Sequence, residues 1–175
     1  TKVVAQQTAG RALVVAADRE WWTGKTVEFA RYARQVGADV LMVKPPNWAG
    51  SCTMDTFVAH YAAVAQEIAV MVVTNVFNGS PPTGLKVIQR LQDEVKNVVA
   101  VKDDLCGRFV NQLSLQAYGD LALISGGQKK NHFDQMAYGI DGYLSTFVTF
   151  APQVTQTYWQ AIQRQDWQAA FKVVR

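Results

Sequence analysis

Lys102 follows the apolar run Val98-Val99-Ala100-Val101 and precedes Asp103-Asp104. A short apolar run of this kind outlines a buried strand, and a lysine at its end points into a mouth of low dielectric. Burial disfavours an ammonium group. A neutral amine attacks a ketone to give an imine, which is an electron sink for the neighbouring carbon–carbon bond. The same position suits a plainer role, an ion pair with Asp103 or Asp104 at the strand end. Lys44, just past Val40–Val43, either stands beside Lys102 and eases its deprotonation or turns to solvent. The segment Ser125-Gly126-Gly127-Gln128-Lys129-Lys130 offers either a backbone cradle for an anion at a helix start or a tight turn that needs small residues. Asp18, Arg19 and Glu20 follow a further apolar run and either line the mouth or form a solvated loop, the loop being the expectation. Trp21 and Trp22 serve either as a substrate platform or as a packing anchor, and packing is the expectation.

Other residue types narrow the chemistry. His60 and His132 have no H-x-x-x-H or H-E-x-x-H spacing, so no metal site is expected. Cys52 and Cys106 lie in no paired motif, which fits reduced thiols in a cytoplasmic protein. Asn78-Gly79-Ser80 matches a glycosylation acceptor and is read as a turn. The chain has 175 residues, 49% hydrophobic and 18% charged, with a net charge of +3, the balance of a globular chain with a sizeable core. Its basic residues are scattered, so no nucleic-acid partner is expected. The longest apolar runs, such as Ile68 to Val73, are too short to span a bilayer. Thr1-Lys2-Val3-Val4 carries no initiator Met and no signal-peptide layout, so either processing or cutting from a longer chain is expected.

The elements that position these residues alternate with a near-regular beat. Strand-length apolar runs occur at Ala12–Ala17, Val40–Val43, Ala69–Val73, Val98–Val101, Leu121–Ile124 and Gly142–Ser145. They are continuous rather than alternating, as in strands buried on both faces. Between them lie helical stripes: Phe29, Tyr32, Ala33 and Val36; then Phe57, His60, Tyr61 and Val64; then Leu85, Ile88 and Leu91. Gly37 marks a helix end. The repeat implies parallel βαβ units with right-handed crossovers, either as an open doubly wound sheet or as an eight-stranded barrel lacking two units. A whole barrel needs about 250 residues, so the chain is short for one. Residues 1–150 are expected to form the barrel part. Residues 151–175, helical from Pro152 onward, are expected to hold the last barrel helix and the start of a C-terminal helical segment.

Four segments, in order, resemble the N-acetylneuraminate lyase and dihydrodipicolinate synthase family. Gly37-Ala38-Asp39-Val40-Leu41-Met42-Val43-Lys44-Pro45 is similar to its fourth strand, and Val98-Val99-Ala100-Val101-Lys102-Asp103 to the sixth with its imine-forming lysine. Leu121-Ala122-Leu123-Ile124-Ser125-Gly126-Gly127 resembles the seventh strand, and Gly139-Ile140-Asp141-Gly142-Tyr143-Leu144-Ser145 the eighth. The resemblance implies an α/β TIM (β/α)8 barrel, here a partial one covering about strands 3 to 8. It implies a class I, Schiff-base aldolase or lyase acting on pyruvate or a related 2-oxo acid. Lys102 would form the imine, Gly126 and Gly142 would frame the keto acid, and Lys44 and Asn75 would lie among the substrate-binding residues. Neither a metal nor an organic cofactor is implied, because the lysine is itself the electron sink. A homo-oligomer is implied, or completion of the barrel by its missing strands.

Departures from the family pattern are specific. The Gly-Thr-Thr-Gly-Glu loop after strand two would lie upstream of Thr1. Where the family has Tyr-Asn-Val-Pro this chain has Thr74-Asn75-Val76-Phe77, so Thr74 takes the place of the proton-relaying tyrosine and would hold a water or substrate hydroxyl. The aromatic pair after the fourth-strand proline is replaced by Pro46-Asn47, with Trp48 one step on. Two alternatives follow: a non-catalytic, degenerate homologue, or a phosphosugar-binding barrel enzyme using the Gly126-Gly127 loop.

Overall fold

The computed structural model describes residues 1–18, 22–45 and 51–175. The expectations for Arg19, Glu20, Trp21, Pro46, Asn47 and Trp48 lie outside the described residues. The elements are α1 (Lys2–Thr8), β1 (Val15–Ala17), α2 (Thr23–Gln35), β2 (Val40–Val43), α3 (Met54–Ala65), β3 (Ala69–Val73), α4 (Pro81–Glu94), β4 (Val98–Asp103), α5 (Gly107–Ala117), β5 (Ala122–Ser125), α6 (Lys129–Gln135), β6 (Gly142–Tyr143), α7 (Pro152–Gln163) and α8 (Trp167–Val174). Short 3-10 turns at Asn75–Gly79 and Thr146–Thr149 follow β3 and β6.

Local sequence explains the beat. Gly37 takes φ +90°, a left-handed conformation that a side chain resists, and so ends α2. Thr53 caps α3, its hydroxyl accepting from the Thr56 N–H at 3.2 Å. Pro81 and Pro82 occupy the first turn of α4, where a missing N–H costs nothing.

All six strands are parallel and pair in sequence order, β1-β2-β3-β4-β5-β6. A doubly wound sheet would have put β1 inside the sheet; sequential order makes a barrel wall. Helix-facing strand residues such as Leu41, Val43, Val70, Val72 and Leu123 pack with Ala33, Tyr61, Val64, Ile88 and Leu113 into one core. The opposite face, carrying Val15, Val40, Met71, Val99, Ala122 and Ile124, lines an open groove of about 800 Å³. This is the inner face of a partial TIM barrel, and Tyr143 and Trp159 stand at one side of it.

β4 departs from regular alternation. Its register against β3 slips, with Val70 opposite Val98 but Met71 opposite Ala100. Val98 and Val101 therefore both belong to the helix-side core, while Val99 and Ala100 both line the groove. One extra residue has been absorbed as a bulge, which reverses the facing of everything after it. β4 also runs on through Lys102 and Asp103, whereas β1 begins only at Val15 and β6 ends at Tyr143. Ser145, expected in the last strand, instead caps the turn Thr146–Thr149 by accepting from the Phe147 N–H at 3.3 Å. Tyr158, Ala161 and Ala170 form a second small core among the last helices, bordered by Phe133 and Tyr143.

Candidate functional site

Lys102 lies one residue from the end of β4, between Val73 of β3 and Ile124 of β5. After the bulge its position falls on the inner face. Its side chain is 17% exposed, and Nζ lies 2.7 and 2.8 Å from the two carboxylate oxygens of Asp104.

Asp103, the next residue, faces the other way and is buried. Its carboxylate accepts from the Cys106 N–H at 2.8 Å, the Leu105 N–H at 3.1 Å and the Thr74 hydroxyl at 3.0 Å. Burial nonetheless holds this carboxyl above the usual range, because desolvation outweighs the stabilising donors.

Thr74 is fully buried just beyond β3, and its N–H donates to the Lys102 carbonyl at 3.2 Å. Its hydroxyl gives its single proton to Asp103 and accepts from the Asp104 N–H at 2.9 Å. One lone pair is all that remains for a water or a substrate group. Asn75, which opens the following 3-10 turn, is exposed.

Gly126 sits beside these groups at the end of β5, its N–H donating to the Asp103 carbonyl at 2.7 Å. A Cβ here would collide with the Asp104 carboxylate and lie 2.8 Å from Lys102 Cε. The glycine is the space through which the lysine–aspartate pair passes. A Cβ at Gly127 would collide with the Asn131 side chain. Buried Lys129 places Nζ 3.8 Å from the centre of the Phe147 ring, so the protein's own groups occupy much of this turn. Cys106 holds φ +63°, a strained value for a non-glycine residue, and its sulfur accepts from Asn131 Nδ2 at 2.9 Å.

The structure thus brings Lys102, Thr74 and Gly126 together at the ends of β4, β3 and β5. Gly142 lies one strand further on and lines the groove; a Cβ there would meet only Ile124 Cδ1, at 3.5 Å. Lys44 is exposed just past β2, while the Lys102 ammonium is paired with Asp104. Trp22 precedes α2 and is half exposed.

Asp18 corrects an expectation. The sequence favours a solvated loop, but the residue is buried, accepting from the Thr26 hydroxyl at 3.1 Å. Its N–H extends the ladder to the Met42 carbonyl, so the residue keeps strand alternation and turns toward α2. Two histidines, His60 and His132, are buried in the interior. His60 Nδ1 lies 3.0 Å from the Thr23 hydroxyl, and His132 Nδ1 lies 2.7 Å from the Tyr158 hydroxyl. His60 falls within a helical stripe read from the sequence, but nothing in the sequence marks His132. Among the described residues, no group of three or more His, Cys, Asp or Glu side chains is placed to hold a metal ion, and no helix is long and apolar enough to cross a membrane.

A profile described as the dihydrodipicolinate synthetase family matches residues 2–174. A 4-hydroxy-tetrahydrodipicolinate synthase of Geobacter sulfurreducens is 27% identical over 155 residues, covering 87% of this chain and 52% of that protein. A Streptomyces coelicolor protein named "Probable 5-dehydro-4-deoxyglucarate dehydratase 1" is 27% identical over 173 residues, covering 94% of this chain and 54% of that one. The chain therefore spans about half the length of the curated relatives it matches. Among solved structures, a dihydrodipicolinate synthase from Bacillus clausii superposes with a TM-score of 0.84 at 21% identity over 98% of this chain and 57% of its own. One from Bacillus anthracis gives 0.82 at 23% identity, over 98% and 59%. These structural likenesses bear on the fold.

Proposed function

The chain belongs to the dihydrodipicolinate synthetase family, and from that premise we propose that it is a lyase in which Lys102 forms a Schiff base with pyruvate or a related 2-oxo acid, making or breaking a carbon–carbon bond. The observation that carries this reading is the bulge in β4, which sets Lys102 on the inner face at the strand's carboxyl end. Reactive groups of parallel barrels gather at that end. The imine nitrogen withdraws electrons from the neighbouring carbon, so the lysine does the work of an electron sink without a metal or organic cofactor. In this reading Gly126 and Gly142 frame the keto acid. Thr74 offers its remaining lone pair to a water or hydroxyl, and Lys44 and Asn75 approach the substrate from the rim. Relatives named as a synthase and as a dehydratase both fit such an intermediate.

The six-stranded wall leaves β1 and β6 with unpaired edges among the described residues and an apolar inner face open. Such edges recruit further strands. We therefore place the working site in a homo-oligomer or in a barrel completed by further strands, within the cytoplasm, where Cys52 and Cys106 form no disulfide.

The test is reduction of the full chain with borohydride in the presence of pyruvate, read by intact mass. Wild type gains a stable adduct and Lys102→Ala gains none; equal labelling of both proteins overturns the assignment. One observation favours a second reading, a non-catalytic homologue: the Thr74 proton is committed to Asp103 and is not offered to the groove. That reading predicts pyruvate-induced thermal stabilisation with no adduct in either protein.

A further inference from the structure

Asp104 is the acidic group in direct contact with Lys102 Nζ. Both of its oxygens lie within 2.8 Å of the nitrogen, and the two side chains are 17% and 23% exposed. This is neither a solvated surface pair nor a sealed interior one; it sits at the rim of the mouth, where a substrate would enter.

The surroundings hold this carboxylate in place. Asp104 lies just past the end of β4, and its N–H is bound by the Thr74 hydroxyl at 2.9 Å. That hydroxyl is oriented in turn by its own bond to Asp103. From the other side, the missing side chain of Gly126 leaves room for the Asp104 carboxylate and for Lys102 Cε. Two neighbouring strands thus shape one slot around a single ion pair.

The same bonds decide which group can move protons. Thr74 is fully buried and its only proton is bound to Asp103. Asp103 faces the helix side and is held by three donors. Among the described residues, Asp104 is the ionisable group that touches the reacting nitrogen.

We propose that Asp104 is a further catalytic residue, the carboxylate that carries protons between Lys102 Nζ and the carbonyl oxygen of the keto acid. This rests on the reading of Lys102 as the imine-forming lysine. The Asp104 carboxylate takes a proton from the Lys102 ammonium. The freed lone pair attacks the ketone carbon, a C–N bond forms, and the carbonyl π pair moves to oxygen. Asp104 returns its proton to that oxygen and removes a second proton from nitrogen, giving a neutral carbinolamine. It then delivers this proton to the hydroxyl, which leaves as water while the nitrogen lone pair closes the C=N bond. The balance is one ammonium and one ketone giving one protonated imine and one water, with Asp104 again a carboxylate.

The experiment measures the rate of borohydride-trapped pyruvate adduct in the full chain for wild type, Asp104→Asn, Asp104→Ala and Lys102→Ala. A shuttle predicts labelling slowed about a hundredfold in Asp104→Asn, within the range for a lost general acid–base. It also predicts partial recovery of the Asp104→Ala rate when formate is added as a free carboxylate, a recovery that a structural role would not give. The opposite sign overturns the proposal. If Asp104 only holds the proton on Lys102, Asp104→Asn frees the amine and labels as fast as wild type or faster. Absence of formate rescue in a folded Asp104→Ala also overturns it. An adduct that survives in Lys102→Ala, or no adduct in wild type, sinks the Schiff-base reading itself. A wild-type adduct that is lost in Lys102→Ala but untouched in the Asp104 variants sinks only the shuttle.

Discussion

Val98 and Val101 lie three residues apart on β4, yet both pack into the helix-side core. A regular strand turns residues an odd number apart to opposite faces. The bulge between them supplies the missing step and aims Lys102 inward. A lysine moved by one position should therefore fail. Val101→Lys combined with Lys102→Ala places an unpaired ammonium at a site with no exposure, among aliphatic side chains. The expected outcome is no borohydride-trapped adduct and a loss of several kcal/mol of stability, the scale of an uncompensated buried charge. Recovery of labelling in this double variant would show that β4 is not aimed by its bulge.

The two glycines named for substrate contact should behave differently from one another. Gly126→Ala drives a methyl into the Asp104 carboxylate and against Lys102 Cε. We expect loss of the trapped adduct together with about 1–3 kcal/mol of destabilisation from overpacking. Gly142→Ala meets only Ile124 Cδ1 at ordinary van der Waals distance and should fold with a change below about 1 kcal/mol. Parallel thermal melts and labelling of the two variants check the contrast.

Thr74 ties two strand ends together through its hydroxyl. Thr74→Val keeps the shape but strips a bond from the buried Asp103 carboxylate and leaves the Asp104 N–H without its partner. The cost expected in a denaturant titration is about 1–3 kcal/mol. Thr74→Ser retains both bonds and should lose less. Thr74→Tyr does not regain a family-like relay, because a fully buried threonine leaves no room for a phenol. A tyrosine variant that melts with wild type and labels faster would contradict this.

The strands and the place of the lysine at a strand end were legible because continuous apolar runs report strands buried on both faces, whereas their sequential order followed from the family resemblance, since the runs alone fit a doubly wound sheet as well. The same continuity hid the bulge: in Val98-Val99-Ala100-Val101 each residue is apolar, so facing cannot be read from alternation. An ion pair at Lys102 was foreseen with either aspartate as the partner. The structure selects Asp104, because Asp103 is turned to the helix side and bound there. The burial of Asp18 escaped notice because a charged residue after a strand resembles a loop, while its partner Thr26 lies in the following helix. The hydroxyl direction of Thr74 depends on a neighbouring strand and has no sequence signal.

The buried histidines set an acid limit on the fold. Burial lowers both His60 and His132 to about 4 from an ordinary value of 6.5. A folded-state value below the unfolded one means that the unfolded chain binds more protons between those limits. The stabilisation is complete above pH 6.5 and is lost as pH falls toward 4. Asp103, held above the usual carboxyl range by burial, works in the opposite direction near the acid end. Melting temperatures should therefore drop across this window, and His60→Gln or His132→Gln should each flatten the profile. A wild-type profile that is level from pH 6.5 to 4 would refute the assignment.

Strict neighbour order in the sheet makes this wall a one-dimensional array, in which each strand and its helix lean mainly on the units before and after. In such arrays stability accumulates interface by interface, and opening starts at the ends. Amide exchange should be slowest in β3 and β4, at the middle of the array, and fastest in β1 and β6, each paired on one side only among the described residues. Removal of an end unit would then trim the array without melting its middle. The slot that holds Lys102 and Asp104, built across β3, β4 and β5, lies in the part that would be the last to come apart.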